Sequence, residues 1–291
     1  MSDSTRTTGL LPFECYYENS VGEVIRLDQA PMVIRSSELF DYQWRLTTFD
    51  RAMHDGGKVV FARRPVQDKT LSVDVFAEAQ EAHNAALNRL HDVLDYDVRR
   101  LTPGRLWVNG QYIRCLAFAS IKTLDRDWTR YTVVKLSLRV VSPAWMEEHS
   151  VVLTPAEQIT DQNLNKRYPG RYPYRYADDD AAYRFLNDTG APLPMIMRIF
   201  GPCHNPSVFV GGNEYSLETE TADGTYIVLD QMEKSIWCVA QDGTRVNLFD
   251  CRKKTNDIFL PAPVGSLSIA CVGCLSCEVV FLVQRSEPRW S

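Results

Sequence analysis

From Met195 onward the chain is cut into short apolar pieces by turn-forming dipeptides, and this punctuation restricts the fold more than any other feature. Met195–Phe200, Ser207–Val210, Glu214–Glu218, Tyr226–Asp230, Ile236–Ala240 and Thr244–Phe249 are strand-sized, and Gly211-Gly212, Asp223-Gly224 and Asp242-Gly243 fall between them. Glycine accepts the positive φ that tight turns demand, so these pairs separate strands rather than interrupt a helix. Turn signals spaced about eight to twelve residues apart predict a β-sandwich. Val264–Val283 is long and apolar enough to suggest a membrane helix, with Glu278 as its one charge. Its serines, glycines and β-branched residues predict instead a hairpin, Leu267–Val272 and Cys277–Val283, turning at Gly273. No membrane segment is expected.

The first half reads as β structure with one helix. Glu14–Tyr17 and Glu23–Leu27 flank a polar turn, Asn19-Ser20-Val21-Gly22, and Leu71–Val75 and Thr132–Val141 alternate as strands do. Ala79, His83, Ala86, Leu87, Leu90, Val93 and Leu94 recur at three- and four-residue spacing, with Glu81, Asn84, Asn88 and Asp92 between them. That is an amphipathic helix over 77–94, ended by Pro103-Gly104. Arg105–Val108 and Gln111–Cys115 form a hairpin around Asn109-Gly110, the pair best suited to a type I′ turn. Residues 151–194 lack a clean period and hold five prolines, so they read as a linker. The division is a β domain over 1–150, a linker over 151–194 and a β-sandwich over 195–291.

Composition excludes several classes. The 291 residues are 45% hydrophobic and 24% charged, which rules out a disordered or fibrous chain. A net charge of -5 provides no global field for nucleic acid or anionic lipid. The first thirty residues show no secretory pattern, so a soluble, cytosol-made protein with reduced cysteines is expected. Cys271, Cys274 and Cys277 have thiolate spacing that a metal can use, but without a second CxxC they read as small buried residues, and no metal is assigned. Asp178-Asp179-Asp180 reads as a solvated loop. Tyr168, Tyr172, Tyr174 and Tyr176 alternate with Arg167, Arg171 and Arg175, a composition suited to stacking on sugars, bases or another subunit. His54, His83, His91, His149 and His204 make no ligand set, and there is no nucleophile elbow, P-loop, dinucleotide fingerprint or HExxH. No catalytic residue and no cofactor is assigned; the chain does not read as an enzyme.

The order of features carries a resemblance. The early hairpin, the helix at 77–94, the run from Pro103 to Tyr112 and the Trp145-ended strand precede Tyr172–Tyr176, Asn187-Asp188-Thr189-Gly190, Gly201-Pro202 and Asn205-Pro206. Asp242-Gly243 with Asn247-Leu248-Phe249 follows, and Glu287-Pro288-Arg289-Trp290 comes last. Over most of its length this resembles the distal tail protein family of long-tailed bacteriophages; the cysteine cluster lies outside the pattern. The resemblance implies an N-terminal ring-forming β domain and a C-terminal galectin-like β-sandwich, with the last residues returning to the N-terminal domain. It implies a homohexameric hub at the virion tail tip, made in the host cytoplasm. Its partners would be the tail tube protein, a tail-tip or lysin-type protein, and receptor-binding or baseplate proteins, with DNA passing unbound through the ring. Strand edges left by the hairpins at 14–27 and 105–115 would be the surfaces that close it. The alternative is a carbohydrate-binding adhesion module, with the four tyrosines or Trp237 stacking on sugars.

Overall fold

The structure, a computed structural model, describes residues 13–50, 55–124, 129–154 and 183–289. They form two compact units: one runs to Glu147 and includes 284–289, and the other is Glu148–Val283.

The first unit contains β1 (Cys15–Glu18), β2 (Val24–Arg26), β3 (Asp28–Gln29), β4 (Met32–Ser37), β5 (Arg45–Asp50), β6 (Gly57–Arg63) and β7 (Gln67–Phe76). Helix α1 (Gln80–Arg100), β8 (Gly104–Val108), β9 (Gln111–Leu124) and β10 (Tyr131–Leu153) follow, and the cut between units falls inside β10. The strands pair in the order β2-β1-β8-β9-β10-β7-β4-β3. β2 and β3 are consecutive pieces of one strand through Leu27. The Leu27 N–H donates to the Cys15 carbonyl at 2.8 Å and its carbonyl accepts from Ile34 N–H at 2.9 Å. The sheet therefore closes on itself as a barrel. Alternate residues of β7 and β8 point inward, and Val73, Leu106, Cys115, Val134, Leu136 and Trp145 belong to a core they share with Leu90 and Val93 of the helix. The Asn109-Gly110 turn is as expected, with φ of 47° and 73°.

Helix α1 runs to Arg100, past the expected end at Leu94, and Leu101 closes it in the left-handed conformation. The continuation was hidden by Asp97, a polar residue at the next core position. Asp97 is fully buried; its carboxyl accepts the Tyr17 hydroxyl at 2.5 Å and the Ser20 N–H at 2.8 Å. Gly104 completes the arrangement. A Cβ there would lie 2.2 Å from the Tyr17 hydroxyl and 2.4 Å from Asp97 Oδ2. Burial, aided by the Asp97 hydrogen bond, pushes the Tyr17 hydroxyl far above the usual phenol range. Burial near Asp97 raises the Cys115 thiol to about 12.

The second unit contains β11 (Tyr183–Asn187), β12 (Met195–Phe200), β13 (Cys203–His204), β14 (Ser207–Val210), β15 (Asn213–Ser216) and β16 (Glu220–Thr221). β17 (Tyr226–Asp230), β18 (Ser235–Val239), β19 (Arg245–Asn247), β20 (Gly265–Val272) and β21 (Ser276–Arg285) follow. One sheet has the order β19-β18-β17-β12-β21 and the other β11-β20-β14-β15. Their inward residues, among them Met197, Ile199, Leu229, Val208, Ile269 and Phe281, make a second core.

Two expectations change. The last two strands are not a hairpin: β20 pairs with β11 and β14, β21 pairs with β12, and they lie in different sheets. The connection is an arch: β20 is held by β11 and β14 and β21 by β12, so the two strands reach the same core from opposite sheets. The span read as linker also contains strand, residues 151–153 of β10 and all of β11. β11 is an edge strand with most of its residues exposed, so it carries no burial alternation to betray it. Residues 155–182, with Asp178-Asp179-Asp180, lie outside the described residues. No helix among the described residues is long and apolar enough to cross a membrane.

Removing the acceptor in Asp97→Ala strands the buried Tyr17 hydroxyl and frees the Ser20 N–H, and should lower stability by about 2–4 kcal/mol. Asp95→Ala, which breaks only an exposed ion pair with Arg99, should cost less than about 0.5 kcal/mol. Urea denaturation measures both. His83 is buried with neither ring nitrogen hydrogen-bonded. His83→Leu should therefore raise stability, by about 1 kcal/mol, in the same assay.

Candidate functional site

The first unit carries one element that its own core does not use. β5 and β6 pair only with each other, and every residue in both strands is exposed, Phe49 at 63% and Phe61 at 58%. An isolated two-stranded ribbon is marginal in water. This one nevertheless holds Leu46, Phe49, Val59, Val60 and Phe61 in solvent, a concentration of apolar surface that marks an interaction site. Cross-strand register assigns its faces. Arg45, Thr47 and Phe49 lie opposite Arg63, Phe61 and Lys58, so one face combines three cations with two phenylalanines. Leu46, Thr48 and Asp50 lie opposite Ala62, Val59 and Gly57 on the other. Sequence reasoning missed the ribbon because strands buried on neither face show no alternation; the β-branched and aromatic content of Lys58–Phe61, next to Gly56-Gly57, was the available signal.

The foot of the ribbon is built by residues from the far end of the chain. The Arg64 guanidinium lies over the Trp44 ring, 4.9 Å from its centroid, and donates to the Arg285 carbonyl at 3.1 Å and Gln284 Oε1 at 3.2 Å. The Trp44 indole N–H donates to Ser286 Oγ at 3.2 Å. Burial lowers the Arg64 pKa. Farther on, the Asn109 amide donates to the Arg289 carbonyl and the Arg289 N–H to Gln111 Oε1, both at 3.3 Å. Residues 284–289 thus link the ribbon's foot to the β8–β9 turn.

Of the residues that sequence pointed to, Tyr168, Tyr172, Tyr174 and Tyr176 lie outside the described residues. Trp237 is half-buried and points away from the core, since its neighbour Ile236 is fully buried. Register places Glu278, Arg198, Val228, Trp237 and Asn247 in one row across β21, β12, β17, β18 and β19. Arg198 and Glu278 are ion-paired at 2.7 Å. Cys271 and Cys277 face the core at the ends of β20 and β21, and Cys274 stands on the arch between them. Among the described residues no group of three His, Cys, Asp or Glu side chains is arranged to hold a metal ion.

A closed barrel with a packed helix, joined in sequence to a two-sheet β unit, defines a mainly β protein whose distinctive surface is the exposed, partly apolar ribbon. No family model and no curated protein matches the sequence. Solved structures do share the fold. The Dit (gp 19.1) protein of phage SPP1, described as a paradigm of the hub adsorption apparatus in phages infecting Gram-positive hosts, matches with a TM-score of 0.55 at 12% identity, over 94% of this chain and 99% of that one. A chain of the phage P2 baseplate in its activated conformation matches with a TM-score of 0.65 at 11% identity in the calcium form, and 0.66 at 12% in the strontium form. Both cover 95% of this chain and 99% of theirs.

Deleting residues 286–291 removes the Ser286 and Arg289 partners of Trp44, Asn109 and Gln111. The first unit should lose about 1–2 kcal/mol. Trp44 emission should shift to the red before any global unfolding, which steady-state fluorescence against a Trp44→Phe control resolves.

Proposed function

We propose that this protein is a structural hub of a phage tail tip, a hexameric ring that joins the tail tube to the tail-tip or baseplate and receptor-binding proteins. The observation that carries the reading is the shared fold with hub and baseplate chains over nearly the full length of both partners. The ribbon supports it and changes its physical basis. Barrel closure at Leu27 leaves β1, β8 and β9 paired on both sides, so the hairpins at 14–27 and 105–115 offer less free edge for assembly than the sequence suggested. The ribbon takes that role. Its cationic face opposes Arg45 to Arg63, a like-charge pair that costs stability until an acidic surface neutralises it, and the chain as a whole carries -5. Contact between a ribbon on one copy and a different patch on the next is head-to-tail, and such contacts close into rings. No enzymatic step belongs to this reading. The tail tube, tail-tip or lysin-type partners and passage of DNA through the ring are part of the proposal, as are a galectin-like second unit and the virion tail tip as its location.

Native mass spectrometry should find a species of about 200 kDa, six copies of the 33.2 kDa chain, alone or once a tail-tube or tail-tip partner is added. The double substitution Phe49→Asp with Phe61→Asp should leave a monomer that still unfolds cooperatively, with the melting temperature of the parent measured in its own dissociated form, because both rings are exposed in the single chain. A hexamer that persists in that variant removes the ribbon from the assembly. A parent that stays monomeric under every condition removes the hub reading.

A carbohydrate-binding adhesion module is the second reading, and the row through Trp237 is what favours it. An indole beside the Asn247 amide and the Arg198–Glu278 pair offers a stacking surface with donors and acceptors for hydroxyl groups. Glycan binding that Trp237→Ala abolishes in a monomeric protein would decide for it.

A further inference from the structure

Asn109-Gly110 is the one Asn-Gly pair in the 291 residues, and the structure holds both ends of its side-chain amide. The Glu14 N–H donates to Asn109 Oδ1 at 3.1 Å, and the Asn109 N–H donates to the Glu14 carbonyl at the same distance. On the other side, Asn109 Nδ2 donates to the Arg289 carbonyl at 3.3 Å. The Arg289 N–H is fixed in turn by Oε1 of the buried Gln111, two residues beyond Asn109. Gly110, by contrast, is open: it is exposed, and a Cβ placed on it would meet nothing within 4 Å. Asparagine before glycine is the order in which a backbone nitrogen most readily attacks the preceding side-chain amide, because glycine puts no side chain in the way. The β8–β9 turn thus sets an unshielded nucleophile, Gly110 N, beside an amide whose orientation depends on Glu14 and on residues 284–289.

We propose that Asn109 is a modification site, a side-chain amide that water converts to a carboxylate once residues 284–289 leave their seat. Turning Cγ onto the Gly110 nitrogen requires the amide to leave its partners, and release of Arg289 removes one of them in advance. Hydroxide then takes the Gly110 N–H proton, the nitrogen attacks Cγ, and the Cγ–Nδ2 bond breaks, Nδ2 taking a proton from water and leaving as ammonia. Water opens the cyclic imide that results. Breaking its Cγ–N bond leaves aspartate, and breaking its backbone C–N bond leaves isoaspartate. In sum an amide and a water become a carboxylate and an ammonium ion, and nothing is oxidised or reduced. The product cannot take Arg289 back on the same terms. Aspartate keeps an acceptor for the Glu14 N–H but turns a carboxylate oxygen toward the Arg289 carbonyl, where the amide offered a donor. Isoaspartate also lengthens the main chain between Val108 and Gln111, which face each other in the hairpin, and so displaces the acceptor of the Arg289 N–H. Release and modification reinforce each other, and the turn works as a one-way latch on residues 284–289. This inference does not depend on the hub reading.

The test is a time course of the full chain in mildly alkaline buffer, read by peptide mapping across Asn109 with aspartate and isoaspartate separated. The folded parent should convert slowest and the parent unfolded in urea fastest. The folded chain lacking residues 286–291 should convert about fivefold faster than the folded parent, the factor that one lost hydrogen bond of ordinary strength supplies. Gln111→Ala removes the acceptor of the Arg289 N–H while leaving Asn109 and the chain length intact, and should give a rise of similar size. Melting curves establish that each variant is folded, and either one decides if the other is not. Asn109→Asp, which writes the product into the chain, should speed amide hydrogen exchange over residues 284–289. A folded parent that converts as fast as its unfolded form, a folded deletion or Gln111→Ala variant that converts no faster than the parent, or parent-like exchange in Asn109→Asp would each overturn the proposal.

Discussion

The hydrogen bond from Tyr17 to the buried carboxyl of Asp97 ties together three parts of the first unit that are distant in sequence. Asp97 comes from the last turn of the helix, Tyr17 from β1, and Ser20 from the turn that follows β1. Gly104 at the start of β8 allows their approach because it has no side chain. A buried polar group that is fully satisfied fixes one arrangement, since any slip of the helix along the barrel leaves all its partners unpaired at once. Apolar contacts from Leu90 and Val93 supply attraction but no such selectivity. The helix therefore has one register on the barrel, and the closure at Leu27, a few residues beyond Ser20, inherits it.

Closure and the ribbon are complementary consequences of one chain path. Between β4 and β7 the chain leaves the barrel, forms β5 and β6, and returns, while β4 and β7 pair directly with each other. The barrel is complete without the excursion, so the ribbon's sequence is free of any duty to the core. That freedom explains its composition: apolar and cationic residues stand in water where a solubility-driven surface would mix both signs of charge.

Legibility followed burial. The strands of the second unit were readable because one face of each is in the core and the other is not, and β12, with alternation from Met195 to Phe200, shows why. The Asn109-Gly110 turn was readable because its φ values exclude most other residues. Where burial and polarity part company, reading failed. Asp97 is polar yet buried and cut the helix short; Phe49 and Phe61 are apolar yet exposed and hid the ribbon. The arch was misread for another reason: a short Gly-containing connection looks the same whether the next strand pairs with its neighbour or crosses the core, and only partners elsewhere in sequence decide. The candidate surface was thus the least legible part, because strands exposed on both faces leave no burial pattern in the sequence.

The seat of the ribbon has a consequence for how the molecule is made. Arg64 and Trp44 find their partners in Gln284, Arg285 and Ser286, which leave the ribosome only after the whole of the second unit has been synthesised. A nascent chain can fold its barrel early, since every strand of the closure lies before residue 154, but it holds an unseated ribbon until synthesis has passed Ser286. Order of synthesis thereby acts as a timer: the ribbon, the element proposed to meet other copies, acquires its final footing last.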